Sequence, residues 1–202
     1  MRVEFLLEEE SAEAALKLLL PNLLPAHYIP RFRVFEGCGD LLHQLTDLLR
    51  GYRKRLTQPG QQDLRIVVLV DADGIAARRL AEMEAAAATA GLLTYARAQA
   101  GQVFYVLNAL AVQELEAWFL GDRAAIQAAY PRVHPPHFKG LPSEPDTIAD
   151  TWETLWRVLQ KGGYYPAGKA KVEWAETITP HLDPARNNSA SFLYFCQSLA
   201  QL

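Results

Sequence analysis

The stretch Arg65-Ile66-Val67-Val68-Leu69-Val70-Asp71-Ala72-Asp73-Gly74 decides the fold. Ile66 to Val70 are all apolar, and all but Leu69 are β-branched, so the run offers no polar face to water. A strand of this kind is buried on both faces, as in the middle of a parallel sheet whose helices cover it on either side. The run stops at Asp-Ala-Asp-Gly, where Gly74 makes a sharp turn easy. In open parallel sheets ligands collect at the carboxyl ends of the strands. The same ten residues therefore predict an α/β fold and a place for its chemistry.

Working outward, strand and helix patterns alternate, which is the order of a mainly parallel sheet flanked by helices. Val3 to Leu7 reads as a first strand, closed by Glu8, Glu9 and Glu10. Ser11 is placed to cap a helix carrying Ala14, Ala15, Leu18 and Leu19, and the proline-punctuated stretch Pro21 to Pro30 is expected to end it. Phe32 to Phe35 reads as a second strand, and Asp40 to Arg50 as a helix after the turn Gly37-Cys38-Gly39. Thr57 to Asp63 reads as a surface loop. Gly74 to Ala90 reads as an alanine-rich helix, Val103 to Leu107 as a strand and Gln113 to Leu120 as a helix, with Asp122 capping a further short one. Pro131 to Pro145 reads as a long loop. Helices are expected over Asp146–Gln160, Ala170–Ile178 and Ala185–Leu199. The expected organisation is an α/β core over 1–130, with a Pro-rich loop and helical extension over 131–202 packed on it as one unit.

The 202 residues are half hydrophobic, enough for a core without staples. A net charge of −3 gives no bulk argument for nucleic-acid binding, though local basic patches remain open. Cys38 and Cys196 form no metal spacing and no disulfide framework, consistent with a reducing compartment. The residues from Met1 to Glu8 contain no long apolar segment, so no signal peptide is read. No apolar run approaches the ~20 residues that span a bilayer. A cytoplasmic protein without membrane contact is expected.

Glu8 after the first strand and Asp71 and Asp73 after the central one reach the same end of the sheet. Carboxylates gathered in one cleft repel one another unless a cation joins them. Hard oxygen donors select Mg²⁺, Mn²⁺ or Ca²⁺ over Zn²⁺. The competing reading makes Asp71 and Asp73 caps of the next helix. Glu9 and Glu10 read as solvated charges near a helix N-terminus.

Leu6-Leu7-Glu8 with Ser11, and Val67-Val68-Leu69-Val70-Asp71-Ala72-Asp73, resemble the Toprim domain of topoisomerases, primases, recombination proteins and overcoming-lysogenization-defect nucleases. That resemblance implies Mg²⁺ held by the glutamate and the Asp-x-Asp pair. Glu9 stands where the Toprim pattern has a glycine. Three segments are similar to a bacterial family known as domain of unknown function 4276, itself Toprim-like: Glu8 to Leu16, Val112 to Leu120 and Asn187 to Phe192. The Glu114-Leu115-Glu116-Ala117-Trp118 segment is the most distinctive. The resemblance implies a partner ATPase and a setting in phage defence.

Other residues carry secondary expectations. Glu116 sits beside the anchors Trp118 and Phe119, where burial is costly without a partner. It reads either as a further metal ligand or base, or as the structural partner of an Arg or a backbone amide. Glu114 ranks below it. Lys169 and Lys171 close the Gly- and Tyr-rich loop from Gly162, and the family resemblance lifts Lys169 above Lys171 as a phosphate contact. The alternative is a solvated loop. Asn187, Asn188, Ser189 and Ser191 precede an apolar helix and read as caps, with Asn188 and Ser189 as an alternative anion site at its N-terminus. Gly37-Cys38-Gly39-Asp40 lacks the Lys-Ser/Thr of a phosphate loop and reads as a turn. His134 and His137 have no zinc spacing and read as surface residues.

Two functions follow. The first is a divalent-metal-dependent nuclease using Glu8, Asp71, Asp73, Glu116 and Lys169 on DNA or RNA. The second is a non-catalytic binding module for an ATPase or a nucleic-acid partner.

Overall fold

The computed structural model describes residues 1–202. Four strands, β1 (Arg2–Leu7), β2 (Ile29–Val34), β3 (Leu64–Asp71) and β4 (Val106–Ala111), form one sheet in the order β2-β1-β3-β4. Every pairing is parallel, with Phe5 opposite both Phe32 and Val67, and Val67 opposite Leu107. Eight α-helices surround it: α1 (Glu10–Leu23), α2 (Cys38–Leu56), α3 (Ala76–Thr89), α4 (Glu116–Gly121), α5 (Arg123–Ala129), α6 (Thr151–Lys161), α7 (Lys171–Ile178) and α8 (Ala190–Leu199). The fold is α/β, as the alternation predicts.

The strand period of two sorts side chains onto two faces. Leu6, Ile66, Val68, Val70 and Val106 point into a core shared with α2 and α3. Phe5, Leu7, Val67, Leu69 and Leu107 point the other way, into a larger core with α1 and α4 to α8. β3 is buried on both sides, so truncating Val68 or Leu69 to Ala costs roughly 2–4 kcal/mol.

Chain direction singles out one crevice. From β1 the chain leaves through α1 on one face toward β2; from β3 it leaves through α3 on the opposite face toward β4. The gap between the carboxyl ends of β1 and β3 is thus a topological switch point, where open α/β sheets bind ligands. Glu8 and Asp71 stand at its two sides.

Several boundaries differ from expectation. α1 runs through Pro21 to Leu23, because losing one amide and one intrahelical bond is outweighed by Leu16, Leu19 and Leu20 buried on the core. α2 continues to Leu56, since Tyr52 and Leu56 extend its buried stripe. β4 starts at Val106, three residues later than expected from Val103, which is left exposed. α6 begins at Thr151 and α8 at Ala190, each several residues inside the expected span. Short 3₁₀ turns at Pro135–Phe138 and Pro145–Thr147 punctuate the Pro-rich stretch. Phe138, Leu155, Trp174, Phe192 and Phe195 share one continuous core with β1, β3 and β4. No helix is long and apolar enough to cross a membrane.

Candidate metal centre

Glu8 follows β1 directly, and its Oε2 accepts the backbone N–H of Asp71, the last residue of β3, at 2.9 Å. The two carboxylates are therefore neighbours across the switch point. Asp71 is only 8 % exposed. Glu116 opens α4 and is fully buried, pulled in by Ala117, Trp118, Phe119 and Leu120, which leave that helix no solvent face. Neither of its carboxylate oxygens has a hydrogen-bond partner. The ammonium of Lys171, at the start of α7, lies 3.5 Å from Glu116 and 3.2 Å from Glu9. Glu9 also accepts the Ser11 hydroxyl. An open cleft of about 490 Å³ is walled by Glu8, Glu9, Phe35, Gly37 and Lys171, with Asp71 and Glu116 outside its lining. A larger cleft of about 650 Å³ opens at the amino end of the sheet beside Arg65, Tyr95 and Phe104, without any acidic side chain.

The electrostatics follow from burial. Desolvation raises the pKa of Asp71 well above the usual aspartate range, and the charges of Glu8, Glu9 and Glu116 add to it. Desolvation pushes Glu116 up to about 7, against the pull of Lys171. Glu8 is raised by burial too, opposed by the N–H groups of Asp71 and Cys38. Burial alone would lower Lys171, but Glu116, Glu9 and Asp71 outweigh it and hold the ammonium above its ordinary range. One cation thus offsets only part of the crowding, and Asp71 and Glu116 remain raised despite it.

Hard oxygens are the donors that Mg²⁺ and Mn²⁺ take. The orphaned oxygens of Glu116 are buried acceptors with nothing to accept, a costly state that a cation relieves. In donor chemistry the residues fit such an ion. As folded, no three acidic side chains converge at ligand distance, and Lys171 provides the positive charge.

Asp73 is not gathered into the buried group. Its backbone is left-handed, at φ +47°, and its half-exposed carboxylate pairs with Arg79 at 3.6 Å. Its charge still raises Glu8 from the rim. Lys169 lies over the Trp152 ring, 4.6 Å from its centroid, so the lysine at the carboxylates is Lys171 instead. Glu114 Oε2 accepts the Thr151 hydroxyl at 2.7 Å and the Trp152 N–H at 3.0 Å, filling the start of α6. The expected anion site at α8 is filled in the same way. Asp146 accepts the Ser191 N–H at 2.8 Å and the Ser189 hydroxyl at 2.7 Å. Ser189 is fully buried, and its Oγ caps Phe192, so an internal carboxylate takes the place proposed for a phosphate. Asn188 is exposed, with its N–H on the Gly121 carbonyl. Burial raises the Cys38 thiol to about 12, which leaves it protonated. His134 is exposed and His137 half-buried, and the His134 backbone N–H donates to the His137 ring at 3.3 Å.

The family model for the domain of unknown function DUF4276 matches residues 7–200. The chain belongs to this family. No curated protein and no solved structure matches it.

The DUF4276 match takes in every acid of the cluster and Lys171. Two members of that group, Glu9 and Lys171, were read from the sequence as solvated or secondary. A signal for Lys171 was present: with Trp174, Ala175 and Ile178 it forms the i, i+3, i+4, i+7 stripe of α7, and those three are fully buried. Glu9 carried no such signal, because it lies between strand and helix. A buried carboxylate was missed entirely. Glu84 in α3 accepts from Thr94, Asn108 and Arg97 at 2.7, 2.7 and 3.1 Å and ties α3 to β4.

Proposed function

We propose that this DUF4276 protein is a Toprim-type phosphodiester hydrolase that binds Mg²⁺ or Mn²⁺ through Glu8, Asp71 and Glu116, with Asp73 adding charge at the rim. The observation that carries the reading is Glu116, a fully buried carboxylate whose two oxygens have no hydrogen-bond partner, beside a second buried acid and a lysine. The position of Glu8 and Asp71 at the switch point of a parallel sheet supports it. A bound divalent ion supplies Lewis-acid polarisation of a phosphoryl oxygen and a water of lowered pKa. The chain supplies the rest. Glu8 and Asp71 would offer two of the donors from neighbouring strand ends. Glu116 would hold the ion as an ionised carboxylate, the bound charge offsetting the desolvation that otherwise raises it. Lys171 neutralises Glu9 and Glu116, and its flexible stem brings an ammonium within reach of a phosphate oxygen. The substrate is DNA or RNA, and a partner ATPase in phage defence fits the family resemblance.

The test is cleavage of plasmid and single-stranded substrates with Mg²⁺ and Mn²⁺, alongside Mn²⁺ binding by calorimetry. Asp71→Asn and Glu116→Gln are each expected to lower cleavage by at least about 100-fold and to weaken Mn²⁺ binding. Absence of both cleavage and metal binding in the wild type sinks the reading.

One observation favours a second reading: the cluster already has an internal counter-ion in Lys171. In that case the domain is a non-catalytic module that binds an ATPase or nucleic acid. Calorimetry separates the two, since a site permanently closed by Lys171 takes up no Mn²⁺.

A further inference from the structure

On α6, Trp152 and Trp156 are one helical turn apart with near-parallel rings, 20° between planes and 6.3 Å between centroids. Both are half-buried, so each keeps part of its surface open to solvent. Trp156 is fixed by its indole N–H on the Tyr165 carbonyl at 2.9 Å. Lys169, itself exposed, rests its ammonium over Trp152. Between Trp152 and Lys171 the chain carries Arg157, Lys161, Lys169 and Lys171 against Glu153 alone, in a protein of net charge −3. A second cation–aromatic pair stands at the same loop, Arg132 over Tyr164 at 4.3 Å.

The pair is tethered to the carboxylates from two sides. The Trp152 N–H is held by Glu114, two residues before Glu116. Lys169 is two residues before Lys171, which touches Glu9 and Glu116. Two residues of extended chain span at most about 7 Å. The start of α6 and the end of the 162–169 loop therefore stand next to the chain segments that carry Glu116 and Lys171.

We propose that Trp152 and Trp156, with Lys169, form a stacking platform that binds single-stranded nucleic acid and leads it into the acidic cleft. The proposal deepens the phosphodiesterase reading and rests on it for the fate of the strand, but binding itself needs no metal. Stacked indoles take bases of any sequence, and adjacent cations take the backbone. A cation–π contact at an exposed site is weak. Lys169 gives up the Trp152 face to a base and moves to the neighbouring phosphate. A duplex hides its base faces, so the platform discriminates against it.

The experiment measures fluorescence anisotropy of labelled oligo-dT, oligo-rU and a duplex of equal length in EDTA at low salt, with indole quenching in parallel. Both single strands are expected to bind at least about 10-fold tighter than the duplex, with quenching. Trp152→Leu is expected to weaken binding about 10-fold, and Lys169→Gln about 3-fold with a shallower salt dependence. Circular dichroism and Tm confirm that each variant is folded. If Trp152→Leu perturbs the fold, Trp156→Phe and Lys169→Gln carry the test. Equal affinity for the duplex, or affinity unchanged in the folded variants, overturns the proposal. Single-strand binding in EDTA with neither cleavage nor Mn²⁺ uptake keeps the platform and removes the hydrolase reading, so the two fail separately.

Discussion

Glu116 shows how much one buried carboxyl controls. Unfolded, it titrates near 4.5; folded, near 7. Below pH 4.5 both states carry the proton and nothing is lost. As pH rises from there toward 7, the unfolded chain sheds a proton that the folded protein keeps, so stability falls; above about 7 the full cost is present. Glu116→Gln is therefore expected to raise Tm by several degrees at pH 8, from a gain of roughly 1–3 kcal/mol, and by almost nothing at pH 4. A scanning-calorimetry pH series checks it, and a gain that does not shrink toward acid would falsify this account of the site. Lys171→Met acts in the opposite direction. It leaves Glu9 and Glu116 without their cation and is expected to cost roughly 3–5 kcal/mol at pH 7.5. If the cluster takes a divalent ion, saturating Mn²⁺ restores part of that loss, which thermal melts with and without the metal detect.

At the scale of elements, both α6 and α8 have their first turns occupied by a carboxylate from elsewhere in the chain, Glu114 and Asp146. Asp146→Ala strands the Ser191 N–H and the Ser189 hydroxyl and is expected to cost roughly 1–3 kcal/mol, whereas Ser189→Ala loses a cap worth about 1 kcal/mol. The double variant falls short of the sum, because both act on one network. Chemical denaturation of the three variants measures the shortfall. The strands were legible because their signal is local: β3 is an unbroken apolar run, and β1 is closed by three glutamates. The helix starts were not, because what begins α6 and α8 comes from 37 and 45 residues away. That Lys171, and not Lys169, stands at the carboxylates was hidden for a similar reason. A loop's composition shows that a cation is present, but only the stripe of the following helix shows which one faces the core.

For the whole molecule, the sheet and the late helices share one continuous core. Leu7, Leu69 and Leu107 lie in the same apolar cluster as Leu159, Trp174 and Phe195. The chain therefore has no line of separation at residue 130. A fragment ending at Tyr130 exposes the side of β4 that α8 covers and the sides of α1 and α4 that pack on α7 and α6. It is expected to lack near-UV dichroism and to bind a hydrophobic dye. A folded, dispersed NMR spectrum from that fragment would refute this.

The contact between Lys171 and Glu9 joins residues 162 positions apart. Such a contact closes late, because the entropy of so large a loop is lost before any attraction is gained. During synthesis the acids of the first 116 residues emerge well before the lysine that neutralises them. A chain still on the ribosome thus lacks the counter-ion of these acids, and the centre is complete only when α7 docks. Chain order makes the assembly of the site one of the last events of folding, so a truncated or stalled product lacks the finished pocket however well its sheet has formed.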